Sequence, residues 1–290
     1  MTSLPVPRQV DRLAGIIRQH GPALVLTGAG CSTASGIPDY RDRDGEWRHG
    51  PPVMFDDFVN NDSTRRRYWA RSMNGWPRIL AARPNPAHHA LARMEDAGFL
   101  HTLVTQNVDN LHRRTGSRNL IELHGNLKSV LCLQCGEHLD RNVLQQQLLQ
   151  DNACFQGSIT TSAPDGDAVL AAKDLSRFTV PACRRCGGIL KPDVVFFGES
   201  IPHPRVEASL QALASSGCLL VIGTSLMVYS GYRYVREARR RCMPIIAVNL
   251  GRTRADSEFS LKIEADCGHI LTALSGTMCP PYPLAAHCQA

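Results

Sequence analysis

The stretch Leu24-Val25-Leu26-Thr27-Gly28-Ala29-Gly30 constrains the fold of this chain more than any other. Ala23–Leu26 reads as a short buried strand, bounded by Pro22 and Gly28. Two glycines then turn the chain. Gly28 permits a tight turn, and Gly30 lets the backbone approach a ligand closely. Backbone N–H groups at such a strand-to-helix turn can hold a pyrophosphate. The spacing departs from Gly-x-Gly-x-x-Gly, because Thr33 stands in the last glycine position and the next glycine is Gly36. On the triplet alone, an ordinary βα turn fits as well. The tail Gly36-Ile37-Pro38-Asp39-Tyr40-Arg41 adds a rigid proline, an acid and a base, which suits a loop closing over a ligand.

The rest of the chain repeats the alternation begun there. Strands are expected at His101–Thr105, Asn119–Leu123, Val194–Phe197, Leu219–Ile222, Ile245–Val248 and Leu261–Ile263. Met1–Gly21 reads as an amphipathic helix with Val10, Leu13, Ile16 and Ile17 on one face. Phe55–Ala82 is helical in pattern, with Gly75 and Pro77 as its interruptions. Asn85-Pro86 starts a helix that runs to about Ala97, with Asn as cap and Pro in the first turn. Pro204–Ser216 and Gly231–Arg241 are helical as well. This order predicts an α/β fold, a Rossmann-like parallel sheet with helices on both faces. Ligands of such sheets bind outside the carboxyl ends of the strands. The polar groups Gln106–Asp109, His124, Gly223-Thr224-Ser225 and Asn249 all fall at such ends, so one shared site with the first glycine turn is expected.

Composition narrows the class. The 290 residues suffice for one large or two modest domains, with 43% hydrophobic and 20% charged residues. No apolar run approaches the roughly 20 residues of a membrane span, and Met1–Gly21 is too polar for a secretory leader. The net charge of +6 gives a mild positive field that favours anionic ligands such as dinucleotides. The runs Arg65–Arg67 and Arg239–Arg241 lie in helical patterns and read as solvated faces. No basic run is interleaved with aromatics, which argues against a nucleic-acid platform.

Two knuckles, Cys132-Leu133-Gln134-Cys135-Gly136 and Cys183-Arg184-Arg185-Cys186-Gly187, form a second constellation. Two Cys-x-x-Cys pairs make a tetrahedral Cys₄ site that suits one structural Zn²⁺ with no open coordination position. The gap of 47 residues between them suggests a small module with its own loops. With 11 cysteines, an odd number, a disulfide framework is disfavoured and a reducing cytoplasm is expected. Cys31, Cys154, Cys218, Cys242, Cys267, Cys279 and Cys288 show no metal spacing, and most are expected to be small buried hydrophobes. His124 stands at a strand end near the Asn107/Asp109 cluster, where it could serve as a general base. His88, His89 and His112 lie in helical contexts and read as structural.

With these motifs in hand the chain resembles the sirtuins, and its details resemble the class II branch. The resemblance rests on Gly28-Ala29-Gly30-Cys31-Ser32 with Gly36–Arg41, Thr105-Gln106-Asn107-Val108-Asp109, His124-Gly125, the paired knuckles, Val195-Phe196-Phe197-Gly198-Glu199, Gly223-Thr224-Ser225-Leu226 and Asn249-Leu250. Tyr40, Arg67-Tyr68-Trp69-Ala70-Arg71, Pro164-Asp165-Gly166-Asp167 and Tyr229-Ser230-Gly231-Tyr232-Arg233 carry the class II likeness. It implies a single catalytic unit spanning residues 1–290. A large domain would comprise 1–44, 86–127 and 191–290, and a small domain a helical insertion at 45–85 and a zinc-binding insertion at 128–190.

The resemblance implies an NAD-dependent protein-lysine deacylase that consumes NAD as a co-substrate. It would release nicotinamide and O-acyl-ADP-ribose. Asn107 and Asp109 would hold the nicotinamide, and His124 would accept a proton from the ribose hydroxyls. The cofactor site would comprise Gly28, Ala29, Gly30, Cys31, Ser32, Pro38, Asp39, Tyr40, Arg41, Trp47, Gln106, Asn107, Asp109, His124, Gly223, Thr224, Ser225, Asn249, Leu250, Gly251 and Cys267. The acyl-lysine peptide would enter as an added strand and meet Tyr68, Arg71, Val195, Phe196, Gly198, Glu199, Val228 and Tyr229. Tyr68 and Arg71 form a Tyr-x-x-Arg similar to the pair in sirtuins that remove acidic acyl groups, which predicts a preference for glutaryl-type groups over acetyl. An ordinary helix-face Arg beside a buried aromatic is the competing reading.

Cys31 and Tyr40 depart from the wider family pattern at the nicotinamide side. Rival readings are mono-ADP-ribosyl transfer to protein on the same NAD site, an NAD-dependent oxidoreductase, and a nucleic-acid-binding zinc protein. The oxidoreductase is weakened by the lack of an acid about 20 residues after the turn. A cytoplasmic monomer acting on acyl-lysine proteins or peptides, with neither membrane nor specific nucleic acid as partner, is the expected form.

Overall fold

The alternation of apolar runs and helices folds into the parallel sheet it predicts. The computed structural model describes residues 5–42, 44, 46, 52–156, 159–162, 168–170 and 174–279. In chain order the elements are α1 (Val6–His20), β1 (Ala23–Thr27), α2 (Phe55–Asn60), α3 (Asp62–Ala81), α4 (Pro86–Asp96), β2 (Leu100–Thr105), α5 (Leu111–Arg114), β3 (Leu120–Glu122), β4 (Gly125–Cys132) and β5 (His138–Asp140). They continue as α6 (Arg141–Asp151), β6 (Ile159–Ser162), β7 (Ala168–Leu170), β8 (Leu190–Val194), α7 (His203–Ala214), β9 (Cys218–Ile222), α8 (Tyr229–Arg240), β10 (Ile245–Val248), β11 (Leu261–Ile263) and α9 (Cys267–Met278).

Six strands form one sheet in the order β11-β10-β9-β1-β2-β3, every neighbouring pair parallel. The order reverses between β1 and β9, which makes their carboxyl ends the topological switch point where such sheets bind ligands. All five residues of β1 are buried, because helices cover both faces. Strand residues alternate between the faces. Val25, Leu103, Leu220 and Ile246 point into a core shared with α1, α4 and α9. Leu24, Leu26, Val104, Leu219 and Val221 point into a second core with α7 and α8. In α1, Val10, Leu13, Ala14 and Ile17 are buried at helical spacing, while Ile16 is half-buried at the edge. Gly21 ends that helix at φ +96.

A second body is built from the insertions together with the adjoining strand β8. Strands β5-β4-β8 form a three-stranded antiparallel sheet, and β6 and β7 pair as a separate hairpin. Phe58, Tyr68, Trp69, Met73, Leu144, Leu148 and Phe178 fill its apolar centre. Arg141 is buried there. Its guanidinium stands 5.5 Å from the Trp69 ring and 5.0 Å from the Trp76 ring, and donates to Gln145 Oε1 and to Ser72.

Two expectations are corrected. The segment from Phe55 breaks at Asn61 rather than at Gly75 or Pro77. The Asn61 side chain accepts from the Ser63 and Thr64 N–H groups and caps α3. Helix α3 runs through Pro77 because its flanking residues Met73, Trp76 and Ile79 are held in the core. The strand expected at Val194–Phe197 ends at Val194, and it belongs to the antiparallel sheet. Phe196 and Phe197 are apolar for a different reason: they pack as a loop, Phe196 against Phe58 and Tyr68, and Phe197 edge-on to Tyr40. Pro164–Asp167 lies outside the described residues.

Candidate active site and metal centre

The two turns at the switch point are fastened to each other by their backbones. The N–H of Gly28 donates to Ile222 O at 3.1 Å, and that of Gly30 to Gly223 O at 2.8 Å. A Cβ at Gly30 would sit 2.9 Å from Gly223 O, and Gly223 itself has φ +57. Glycine is needed at both points for this close approach. The result is a backbone cradle facing the cleft.

The Gln106–Asp109 segment follows β2 and closes a polar chain over the cradle. Asn107 Nδ2 donates to Gly28 O and to Ser32 Oγ, both at 3.0 Å. Ser32 Oγ donates to Asp109 Oδ2 at 2.7 Å, and the Leu111 N–H to Asp109 Oδ1 at 2.9 Å. Burial pushes the Asp109 carboxyl up, while these two donors pull it down. Gln106 Nε2 reaches Thr224 Oγ1 at 3.0 Å and ties the segment to the second turn.

His124 follows β3, the strand beside β2, and lines the same cleft as Asn107 and Asp109. Leu123 N donates to Thr105 O and Val195 N to His124 O, both at 2.8 Å, which pins the residue from two sides. Gly125, at φ +83, packs so close to Asp193 O that a side chain would collide with it. Nδ1 of His124 lies 3.0 Å from Gln106 O. A carbonyl can only accept, so Nδ1 carries the proton and Nε2 the lone pair. Ser230 Oγ, 2.9 Å away, donates to that lone pair. Burial pushes the imidazole down to about 4, and the nearby cations Arg205 and Arg233 act in the same direction against the Gln106 carbonyl. The ring is therefore a neutral acceptor at pH 7.

The opposite wall is the loop after β8. Glu199 Oε2 accepts from the Phe196 N–H at 2.8 Å and from Lys191 Nζ at 3.0 Å. Lys191 is 3% exposed and also donates to the carbonyls of Pro192 and Val194. Its ammonium is pulled down by burial and supported by Glu199. Phe55 N donates to Phe197 O at 2.8 Å, which joins this loop to the start of α2.

These walls enclose a cleft of about 1140 Å³. Most of the expected cofactor residues line it, including Gly28, Ala29, Gly30, Ser32, Pro38, Asp39, Tyr40, Arg41, Gln106, Asn107, Asp109, His124, Gly223, Thr224, Ser225, Asn249, Leu250 and Cys267. So do Tyr68, Val195, Phe196, Gly198, Glu199, Val228 and Tyr229 from the expected substrate set. Three expected residues are corrected. Cys31 is fully buried and faces the sheet core beside His88 and His112. Gly251 is turned outward, its N–H towards Glu264 and its carbonyl towards Lys262. Arg71 is half-buried on α3 and does not line the cleft. Trp47 lies outside the described residues.

Three residues take part in roles that sequence reasoning did not give: Ser230 on His124, Lys191 under Glu199, and Arg233 in the cleft wall. Ser230 and Arg233 lay inside the quoted Tyr229–Arg233 motif, and their i,i+3 spacing puts them on one helix face. Cys218 and Cys267 are buried as expected of the remaining cysteines, but Cys154 and Cys242 are exposed.

The two knuckles converge. Cys132 and Cys135 lie at the β4–β5 turn, Cys183 and Cys186 just before β8. The four Sγ atoms lie within 4.8 Å of one another, with Cys132–Cys186 at 3.5 Å and Cys135–Cys183 at 3.7 Å. Thiolates about 2.3 Å from a tetrahedral zinc would be spaced about 3.8 Å apart. The donor set fits a closed, structural Zn²⁺ site.

The model of the Sir2 family matches residues 28–230, more than half of the chain. A Bordetella bronchiseptica protein named NAD-dependent protein deacetylase is 51% identical over 262 residues, which cover 90% of this chain and 96% of that protein. The chain belongs to the Sir2 family. This sirtuin is also 46% identical to the Bos taurus NAD-dependent protein lipoamidase sirtuin-4, mitochondrial, over 91% of this chain and 85% of that one. A solved structure of Sir2 with a p53 peptide and NAD⁺ superposes with a TM-score of 0.74 at 28% identity, covering 90% of the sirtuin described here and 95% of that chain. No helix among the described residues is long and apolar enough to cross a membrane.

Proposed function

We propose that this sirtuin is an NAD-dependent protein-lysine deacylase that consumes NAD as a co-substrate and moves the acyl group to ADP-ribose. The observation that carries the reading is the neutral His124, whose Nε2 lone pair is held by Ser230 in a cleft walled by the glycine cradle and the Phe196–Glu199 loop. The names of the relatives and the NAD⁺ and p53 peptide in the Sir2 neighbour support it.

The backbone cradle of Gly28–Gly30 and Gly223–Ser225 would hold the diphosphate. Asn107 and Asp109, fixed through Ser32, would orient the nicotinamide amide. Bound NAD supplies an anomeric carbon from which nicotinamide leaves as the acyl oxygen attacks. The ribose hydroxyl would then take the place of the Ser230 hydroxyl on His124 Nε2 and give up its proton there. Nδ1–H, held on the Gln106 carbonyl, keeps Nε2 the basic atom throughout. The peptide would lie as a strand between Val195–Gly198 and Met227–Ser230, with Tyr68 at the acyl end. We assign 1–44, 86–127 and 191–290 to the large domain, 45–85 to the helical insertion and 128–190 to the zinc insertion; β5 and most of β4 fall inside the last, and β8 crosses its boundary to complete their sheet. A cytoplasmic site of action agrees with a centre of four reduced thiols.

His124→Ala tests the reading. Single-turnover deacylation of an acetyl-lysine peptide should fall by about 10²-fold or more, with NAD still bound in calorimetry. A rate within threefold of wild type would remove His124 from the chemistry.

A further inference from the structure

Arg233 is a cation in the cleft that the reaction above does not use. It lies one turn along α8 from Ser230, and its side chain lines the cleft with Tyr229, Ser230 and His124. Its Nε is buried without a hydrogen-bond partner, and no carboxylate among the described residues pairs with it. Its guanidinium carbon stands 5.5 Å from the centre of the Tyr229 ring. Arg236 holds the same tyrosine, with its guanidinium carbon 5.9 Å from the ring and Nη1 donating to the phenol oxygen at 3.1 Å. Tyr229 and Val228 remain 49% and 38% exposed at this rim.

A buried guanidinium N–H without an acceptor is costly, and an anion supplied by a ligand relieves it. Arg205 and Arg233 both bring positive charge to bear on His124. The dinucleotide phosphates are assigned to the cradle at the ends of β1 and β9, where backbone N–H groups converge. Arg233 instead stands beyond Ser230, on the side assigned to the peptide. Arg71, the other arginine considered for an acidic substrate, does not line the cleft.

We propose that Arg233 is a carboxylate receptor for the substrate: it selects acyl-lysine substrates that carry a carboxylate next to the scissile amide, on the acyl tail or on a flanking side chain. A guanidinium fork fits a carboxylate with two parallel hydrogen bonds, and Tyr229 holds the fork in place. This rests on the deacylase reading, and both sources of the carboxylate share one chemistry.

Two matched pairs of peptides separate them: glutaryl-lysine against the same group with its terminal acid as the amide, and acetyl-lysine flanked by Glu against the same peptide with Gln. The kcat/KM of wild type, Arg233→Met and Arg233→Lys is measured on all four, together with the KM for NAD. Wild type should favour the acid in at least one pair by about tenfold or more, the size of a charge-assisted hydrogen bond. Arg233→Met should bring that ratio to within threefold of one, and Arg233→Lys, which keeps the charge but not the fork, should fall between. The pair that responds identifies the source of the carboxylate. Ratios near one in both pairs for wild type, or a ratio that survives Arg233→Met, would overturn the proposal. So would a raised KM for NAD with unchanged ratios, which would assign the guanidinium to the dinucleotide. Turnover of none of the four peptides by wild type would overturn the deacylase reading and this proposal with it.

Discussion

Replacing Lys191 by methionine isolates the ion pair that shapes the substrate wall of the cleft. The side chain is 3% exposed and Glu199 is 20% exposed, so the pair is largely removed from water. Methionine fills similar volume but leaves Glu199 with the Phe196 N–H as its remaining hydrogen-bond donor, and leaves the Pro192 and Val194 carbonyls without the ammonium. Breaking one partner of a buried pair costs about 3–5 kcal/mol. The residual exposure of Glu199 places Lys191→Met near the lower end, about 3 kcal/mol. Urea unfolding monitored by tryptophan fluorescence measures it. Because the Phe196–Glu199 turn would loosen, the KM for acetyl-lysine peptide should rise while that for NAD moves less. Lys191→Met with Glu199→Gln removes the stranded charge and should recover at least about 1 kcal/mol. A single variant within 0.5 kcal/mol of wild type with a normal peptide KM would refute the reasoning.

Removing the metal should cost more than any single side chain. Stripping zinc with a strong chelator, or Cys183→Ser, should unfold the β5-β4-β8 region and abolish activity, since a structural zinc contributes on the order of 10 kcal/mol to folding; full activity with less than about a tenth of a zinc per chain by elemental analysis would contradict a structural role. Acid should also destabilise the protein. Burial holds His88 and His124 at about 4 and His112 well below its ordinary 6.5. The unfolded chain therefore binds more protons, and stability falls as pH drops from about 6.5 towards 4, by about 2 kcal/mol for each of His88 and His124 at pH 5. Urea midpoints that stay flat between pH 7 and 4.5 would contradict the buried neutral imidazoles.

Much of this molecule can be read locally. The βα turn at Gly28–Gly30, the knuckles and the polar strand ends each sit within a few residues, and strand order does the rest, because β2 beside β3 brings the Gln106 carbonyl to His124. What escaped depends on distance along the chain. Asn61 outcompeted Gly75 and Pro77 as a break because its side chain caps α3, while core contacts carry the helix past the proline. Val194–Phe197 looks like a strand because its apolar side chains serve a loop packed on Phe58 and Tyr68. Cys31 was assigned to the cofactor from its place in the glycine motif, but its side chain turns inward towards His88 and His112. Lys191 is one of four lysines in the chain, and nothing near it in sequence marks it as buried.

The most direct test of the deacylase mechanism is the product balance of one reaction containing NAD, acetyl-lysine peptide and the purified protein, read by mass spectrometry. The account predicts one nicotinamide and one O-acetyl-ADP-ribose for each lysine freed, with no NADH and no ADP-ribose on the protein. Lysine freed without loss of NAD, or NAD converted to NADH with the acetyl group still on lysine, would contradict it.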